Sequence, residues 1–200
     1  IVVDDCSPDD TIATAEAFAA EDDRIRIIRQ SANEGSYAAR NAGLVAARGA
    51  YITTHDADDW SHPQKIEMQM RLLRAQPEAA ACFSGWVRCS SDLRFGWLHR
   101  PWESMIAKNI TSILMHRERF DVLGGWDRVR VSADTELLRR VEHLFGKSAV
   151  KLGNSKKLPL AFGRHESRSL TQQKLTHVST MLHGPRQEYH EASQFWRESV

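Results

Sequence analysis

The sequence predicts an α/β fold in which a parallel sheet is built through crossover helices, and three observations carry that prediction. The first sixty residues alternate short apolar runs with helical stretches, in the order strand, helix, strand, helix, strand. The second helical stretch is lined with small side chains (Ala38, Ala39, Ala42, Gly43, Ala46, Ala47), which let a helix lie close on a sheet. The third apolar run ends directly in His55-Asp56-Ala57-Asp58-Asp59-Trp60, at the kind of strand end where open α/β sheets bind ligands.

Each element has its local reason. Ile1-Val2-Val3 reads as a short strand that the chain enters without a cap, as a fragment of a longer protein would. Residues 7–11 combine Ser, Pro, Asp and Thr, the chemistry of a turn and a helix start, and the Ala-rich stretch 11–20 follows as a helix. Residues 24–29 alternate charged and apolar side chains and form a second strand. A loop over 31–35 leads into the helix at 36–48, which Gly49 ends. Ala50-Tyr51-Ile52-Thr53-Thr54 is the third strand. Pro63 opens a helix that runs to about residue 76 and is stopped by Pro77. Residues 79–87 are a strand, and 88–110 carry no firm assignment. Beyond them the pattern predicts a strand over 110–115, a short helix over 117–123 and a turn at Gly124-Gly125-Trp126-Asp127. A helix over 133–145 follows, with Leu137, Leu138, Val141 and Leu144 as its apolar face. Residues 147–152 and 158–162 read as late strands, and the His- and Gln-rich tail from Thr171 as helical in part.

Composition removes several function classes. The 27 Lys and Arg nearly balance the 26 Asp and Glu, and the net charge of +1 gives no nucleic-acid footprint. No apolar run has the length of a membrane span, and no secretory signal opens the chain. Cys6, Cys82 and Cys89 are odd in number and form no CxxC pair. That argues against structural zinc and a disulfide framework, fits a reducing compartment, and leaves the cysteines as small buried or half-buried hydrophobes.

Five groups of residues bear chemistry. Three carboxylates crowded into Asp56-Ala57-Asp58-Asp59 repel one another unless a cation joins them, and an all-oxygen donor set suits Mg²⁺ or Mn²⁺. The plainer alternatives are a solvated acidic turn favouring the next helix's N-terminus, or an HD-type phosphohydrolase centre suggested by His55-Asp56. Asp4-Asp5 follow a strand directly, either as a turn that caps the next helix or as carboxylates accepting from a base N–H or a ribose hydroxyl. Arg40, near the start of its helix, points either to water or to a diphosphate, whose oxygens its guanidinium fork suits. Asp134 opens a helix, where it serves as an N-terminal cap or as a general base in a cleft. His165, just beyond a strand end in Arg164-His165-Glu166-Ser167, is a candidate third metal ligand, while the other histidines lack ligand spacing.

In order along the chain, these segments resemble the family 2 glycosyltransferases of the GT-A fold. Val2-Val3-Asp4-Asp5-Cys6-Ser7 resembles the family's V-D-D-G-S, and Asn33-Glu34-Gly35 with Ala39-Arg40-Asn41-Ala42-Gly43 its N-x-G…A-R-N-x-G. Gly49-Ala50-Tyr51-Ile52 with Asp56-Ala57-Asp58-Asp59, Pro63 and Lys65 resembles G-E-Y-I…D-A-D-D…P-x-K. Leu123-Gly124-Gly125-Trp126-Asp127 with Asp134, Leu137 and Arg140 resembles G-G-F-D…E-D-x-x-L-x-x-R. The resemblance implies a GT-A-type, Rossmann-like mixed sheet flanked by helices, here lacking its first βα unit. It places the glycosyltransferase domain at residues 1–170, with a nucleotide-binding part at about 1–60, an acceptor part at about 88–170, and a mostly helical tail at 171–200.

By the same resemblance the chain is an inverting hexosyl- or N-acetylhexosaminyltransferase, using a nucleotide-sugar donor (a UDP-sugar) and Mn²⁺ or Mg²⁺. Asp5 would contact the base, Arg40 the base or diphosphate, Asp56 would support the donor, Asp58 would meet ribose or metal, and Asp59 or Asp58 the metal. Asp134 would deprotonate the hydroxyl of a glycan or lipid-linked acceptor. The implied setting is the cytoplasm, with peripheral association at the inner face of the membrane. Two departures stand out: Ala133 where a Glu commonly precedes the base, and Cys6 where Gly is usual. Without the family's opening strand and helix, the isolated chain is expected to bind donor weakly or not at all. A nucleotidyltransferase making nucleotide-sugars and a degenerate carbohydrate-binding module remain alternatives, and Trp86, Trp97, Trp102 and Trp126 are either core or sugar-stacking platforms.

Overall fold

The computed structural model describes residues 1–95, 105–153, 158–165, 177–181 and 183–199. Trp97, His99, Trp102, Glu166, Ser167 and the start of the tail at Thr171 lie outside them. Strands β1 (Val2–Asp4) and β2 (Ile27–Arg29) form a parallel pair, joined through helix α1 (Thr11–Glu21). Helix α2 (Ser36–Ala46) packs on β1, and the small side chains have the expected effect: a Cβ at Gly43 would sit 3.3 Å from Val3.

The second sheet is mixed. It contains β3 (Tyr51–Thr53), β4 (Trp60–Ser61), β5 (Ala81–Cys89), β6 (Ala107–His116), β7 (Val150–Leu152) and β8 (Ala161–Arg164). The order is β3-β6-β5-β8-β4, with β7 also paired to β5. β5 runs parallel to β7 and β8 and antiparallel to β6. The sequence suggested that β3 continues the parallel sheet begun by β1 and β2, and the structure corrects this. Tyr51, Ile52 and Thr53 pair antiparallel with His116, Met115 and Leu114, because the long buried strand β6 supplies their backbone partners.

Helices α3 (Lys65–Ala75), α4 (Arg117–Leu123), α5 (Ala133–Phe145) and α6 (Pro185–Ser199) complete the fold. The main core lies between β5, β6 and α5, where Phe83, Ile113, Met115, Leu137 and Val141 are almost wholly buried. α3 buries a stripe one turn apart, Lys65, Gln69 and Leu73, and the Gln69 amide donates to the carbonyls of Cys82 and Ser112 at 3.0 and 2.8 Å. Gly124, in the left-handed region at φ 80°, ends α4 and opens the Gly-Gly turn.

Other boundaries shift in informative ways. Residues 88–89 extend β5 and 107–109 extend β6, so the stretch left unassigned is mostly strand at both ends. Residues 147–149 form a 3-10 turn before β7, and the last strand begins at Ala161 rather than 158. β4 is too short to show in the pattern. Leu144 is 54% exposed, off the buried face of α5, because Val141 and Leu138 already fill the core there. Cys82 and Cys89 are buried hydrophobes, whereas Cys6 is exposed in the turn after β1, at φ 61°.

Candidate active site

A cleft of about 1460 Å³ opens where β1, β3 and β6 face α2 and the start of α5. Asp5, Arg40, Asp56, Asp58, Asp59 and Asp134 all line it. Its wall also carries Lys65, Arg88, Lys108, Arg130 and Arg186, a concentration of cations on a nearly neutral chain that suits an anionic ligand.

Asp5 holds both oxygens on backbone amides, those of Glu34 (2.8 Å) and Gly35 (2.7 Å). It thereby ties the loop before α2 to the end of β1. Gly35 makes this turn at φ 97°, a conformation that side chains resist. The neighbouring Asp4 is buried and accepts from the Ser7 amide at 3.1 Å. Arg40, with only 11% of its side chain exposed, pairs with Asp56 through one terminal nitrogen, and its other terminal nitrogen has no partner. The guanidinium also lies 5.2 Å from the centre of the Tyr37 ring.

The acidic turn after β3 is crowded as expected. Burial, then the neighbouring carboxylates of Asp56 and Asp58, push the Asp59 carboxyl up to about 6 against the pull of the Arg164 amide and of Arg88. The Arg164 amide donates to Asp59 at 3.1 Å. Lys65 is buried beneath the turn, donates to Ser61 at 3.1 Å, and has its pKa lowered by burial. Arg88 lies 3.9 Å over the Trp86 ring and donates to the Arg164 carbonyl. Burial lowers its pKa, while Asp59, Asp56 and Asp58 oppose that shift.

Among the described residues no three His, Cys, Asp or Glu side chains gather as a ready metal cage. The donor set nonetheless fits Mn²⁺ or Mg²⁺. Such ions are held by one or two carboxylates plus phosphate oxygens of the ligand, and Asp58 is exposed to the cleft beside an Asp59 whose charge is poorly compensated. His165 is not among the residues lining the cleft; its amide continues the β8 pairing by donating to the Cys89 carbonyl.

Asp134 sits in the first turn of α5, one residue inside it, so the capping position belongs to Ser132. One carboxylate oxygen of Asp134 accepts from the Thr135 amide (2.8 Å) and from the Tyr37 hydroxyl (3.1 Å). Ala133 is fully buried in the main core and is not among the residues lining the cleft. The α5 start is braced from behind. Arg140 pairs with the buried Glu136 at 2.6 Å and donates to the carbonyls of Leu123 and Gly125, and Asn41 of α2 holds the Trp126 backbone through both its amide atoms. Trp126 is a core residue packed on Phe120 that also borders the cleft, and Trp86 lines the cleft beneath Arg88.

These segments match a family model, that of glycosyl transferase family 2, over residues 1–138. The chain belongs to this family. Relatives include the glycosyltransferase EpsJ of Bacillus subtilis, 50% identical over 95 residues (47% of this chain, 27% of that protein). The succinoglycan biosynthesis protein ExoO of Rhizobium meliloti is 46% identical over 66 residues (33% and 18%). The matched segments span only 11–36% of the curated relatives' lengths. Among solved structures, S. aureus TarS 1-349 in complex with UDP-GlcNAc gives a TM-score of 0.63 at 13% identity, covering 84% of this chain and 50% of that one. That likeness establishes the GT-A fold.

Within the family frame, the cleft residues that the sequence left without a role include Tyr37, Arg88, Arg130 and Arg186. Tyr37 carried a legible signal, an aromatic one helical turn before Arg40. So did Arg88, two residues after Trp86 and on the same face of a strand. Arg130 and Arg186 reach the cleft from a turn and from α6, which no local pattern announces.

Proposed function

We propose that this chain forms the donor-binding and catalytic part of an inverting glycosyltransferase that takes a sugar from a UDP-sugar to a hydroxyl of a glycan or lipid-linked acceptor. One observation carries the reading: the acidic turn and Asp134 face a single cation-rich cleft and meet neighbouring side chains of α2, Arg40 and Tyr37. The UDP-GlcNAc complex of TarS and the polysaccharide role in the name of ExoO support the donor and acceptor classes.

In this reading Arg40 and Arg88 flank the diphosphate, and Asp58 with Asp59 would hold Mn²⁺ or Mg²⁺. The ion supplies charge stabilisation for the departing diphosphate. Asp134 accepts the acceptor's hydroxyl proton as that oxygen bonds to the anomeric carbon and the bond to diphosphate breaks on the opposite face, which inverts the configuration. No helix among the described residues is long and apolar enough to cross a membrane. We place the reaction on the cytoplasmic side, where nucleotide-sugars are made, with peripheral contact at the membrane.

The test is Mn²⁺-dependent release of UDP from UDP-GlcNAc, with transfer to added glycan acceptors. Asp134→Asn and Asp58→Ala should each lower turnover by roughly a hundredfold or more. Full turnover in both variants would overturn the reading.

A further inference from the structure

We infer that Tyr37 is a positioning residue for Asp134: it selects which carboxylate oxygen meets the acceptor hydroxyl. The inference rests on Asp134 being the base, as proposed above. Tyr37 is the second residue of α2 and is 7% exposed, with its hydroxyl 3.1 Å from Asp134 Oδ1. The Thr135 amide donates to that same Oδ1 at 2.8 Å. Both bonds therefore fall on one oxygen, and Oδ2 is left for a hydroxyl arriving from the cleft.

The two bonds do different things. A carboxylate's terminal torsion is broad and roughly twofold, so an Asp on its own presents either oxygen. The Thr135 amide belongs to the next residue of the same helix and moves with Asp134. Tyr37 comes from another helix, 97 residues away in the chain, and ties the carboxylate to the opposite wall of the cleft. Burial and the charge of Asp134 both raise the Tyr37 phenol above its ordinary pKa, so it remains a donor throughout the neutral range.

The same helix fixes the donor side. One turn on from Tyr37, Arg40 packs 5.2 Å from the Tyr37 ring centre and pairs with Asp56 in the acidic turn. α2 thus sets the separation between the base and the donor-binding acids with two adjacent side chains. A buried tyrosine needs a partner for its hydroxyl in any case. If that were all, losing the hydroxyl would cost stability, whereas a positioning role costs turnover and leaves binding alone.

The experiment measures UDP release from UDP-GlcNAc with Mn²⁺, water serving as acceptor, for the unchanged protein, Tyr37→Phe, Asp134→Asn and the double variant. Tyr37→Phe should lower kcat roughly ten- to a hundredfold, the usual worth of a hydrogen bond to a charged group. KM for UDP-GlcNAc and Kd for UDP should stay within about twofold. On the Asp134→Asn background Tyr37→Phe should have no further effect, because it acts through that carboxylate. An unchanged kcat, a loss confined to KM, or a loss that persists on the Asp134→Asn background overturns the inference. A folding defect is read the same way, since it would add on that background. If Asp134→Asn turns over like the unchanged protein, the base assignment itself fails and the inference falls with it.

Discussion

The acidic turn after β3 and the first turn of α5 both present carboxylates to one cleft, but they are held in opposite ways. The turn crowds three acids into four residues, and its backbone is anchored mainly at Trp60–Ser61, a two-residue strand. Its charge is only partly answered, by Arg40 on Asp56 and by Lys65 and Arg88 nearby, and Asp59 is left with a raised pKa. Asp134 stands alone, bonded through one oxygen, on a helix whose buried face is fixed by core packing and by Glu136 with two arginines. One site is arranged to be completed by a ligand. The other is arranged to be held still before any ligand arrives.

The strongest way to break that contrast is to loosen the brace. Glu136 is 1% exposed and pairs with Arg140 at 2.6 Å and Arg197 at 3.2 Å. Removing one partner of a buried ion pair strands the other charge. Glu136→Ala should therefore destabilise the fold by about 3–5 kcal/mol in chemical denaturation. Asp58→Ala, at an exposed position in the turn, should change metal-free stability by no more than about 0.5 kcal/mol. Equal losses would mean that the two sites are not differently supported.

A second experiment sharpens the comparison from the ligand side. The Mn²⁺–UDP complex, as a single ligand at about a hundred times its dissociation constant, should stabilise the protein by roughly 2.7 kcal/mol. The melting temperature reports it, and chelation should reverse it. The gain should vanish in a variant carrying both Asp58→Ala and Asp59→Ala, yet survive in Asp134→Asn, which leaves the donor side intact. A gain that disappears in Asp134→Asn would show the two sites to be one.

What the sequence disclosed follows the same division. The helices at 36–46, 117–123 and 133–145 were legible because caps, glycines and apolar periodicity are local signals, and the carboxylates were legible because their spacing is local too. The pairing of β3 with β6 was not, since nothing in five residues says which distant strand will supply hydrogen bonds. The use of Asp5 as a loop anchor was hidden for the same reason: its partners, the amides of Glu34 and Gly35, have no side-chain signature. Tyr37 lay in plain view but acquires meaning only when α5 is folded against α2.

The smallest expected effect concerns protons. Asp59 has a folded pKa of about 6 against an ordinary 3.8, so the folded protein holds that proton more tightly than the unfolded chain does. The sign follows: without metal, this group adds stability as the pH falls from above 6 toward 4, and that stability is lost as the pH rises back through the same window. Asp59→Asn removes the titration. The difference in melting temperature between the metal-free wild type and Asp59→Asn should therefore shift in the wild type's favour on acidification. His55, His165 and His190, whose pKa values burial lowers, slope the other way in both proteins and are common to the two sides of that difference. With Mn²⁺ present the proton and the ion compete for the same carboxylate, so the Mn²⁺-dependent stabilisation should fade below about pH 6. A stabilisation that persisted undiminished to pH 5 would move the ion away from Asp59 and leave Asp58 to hold it with the ligand's phosphates.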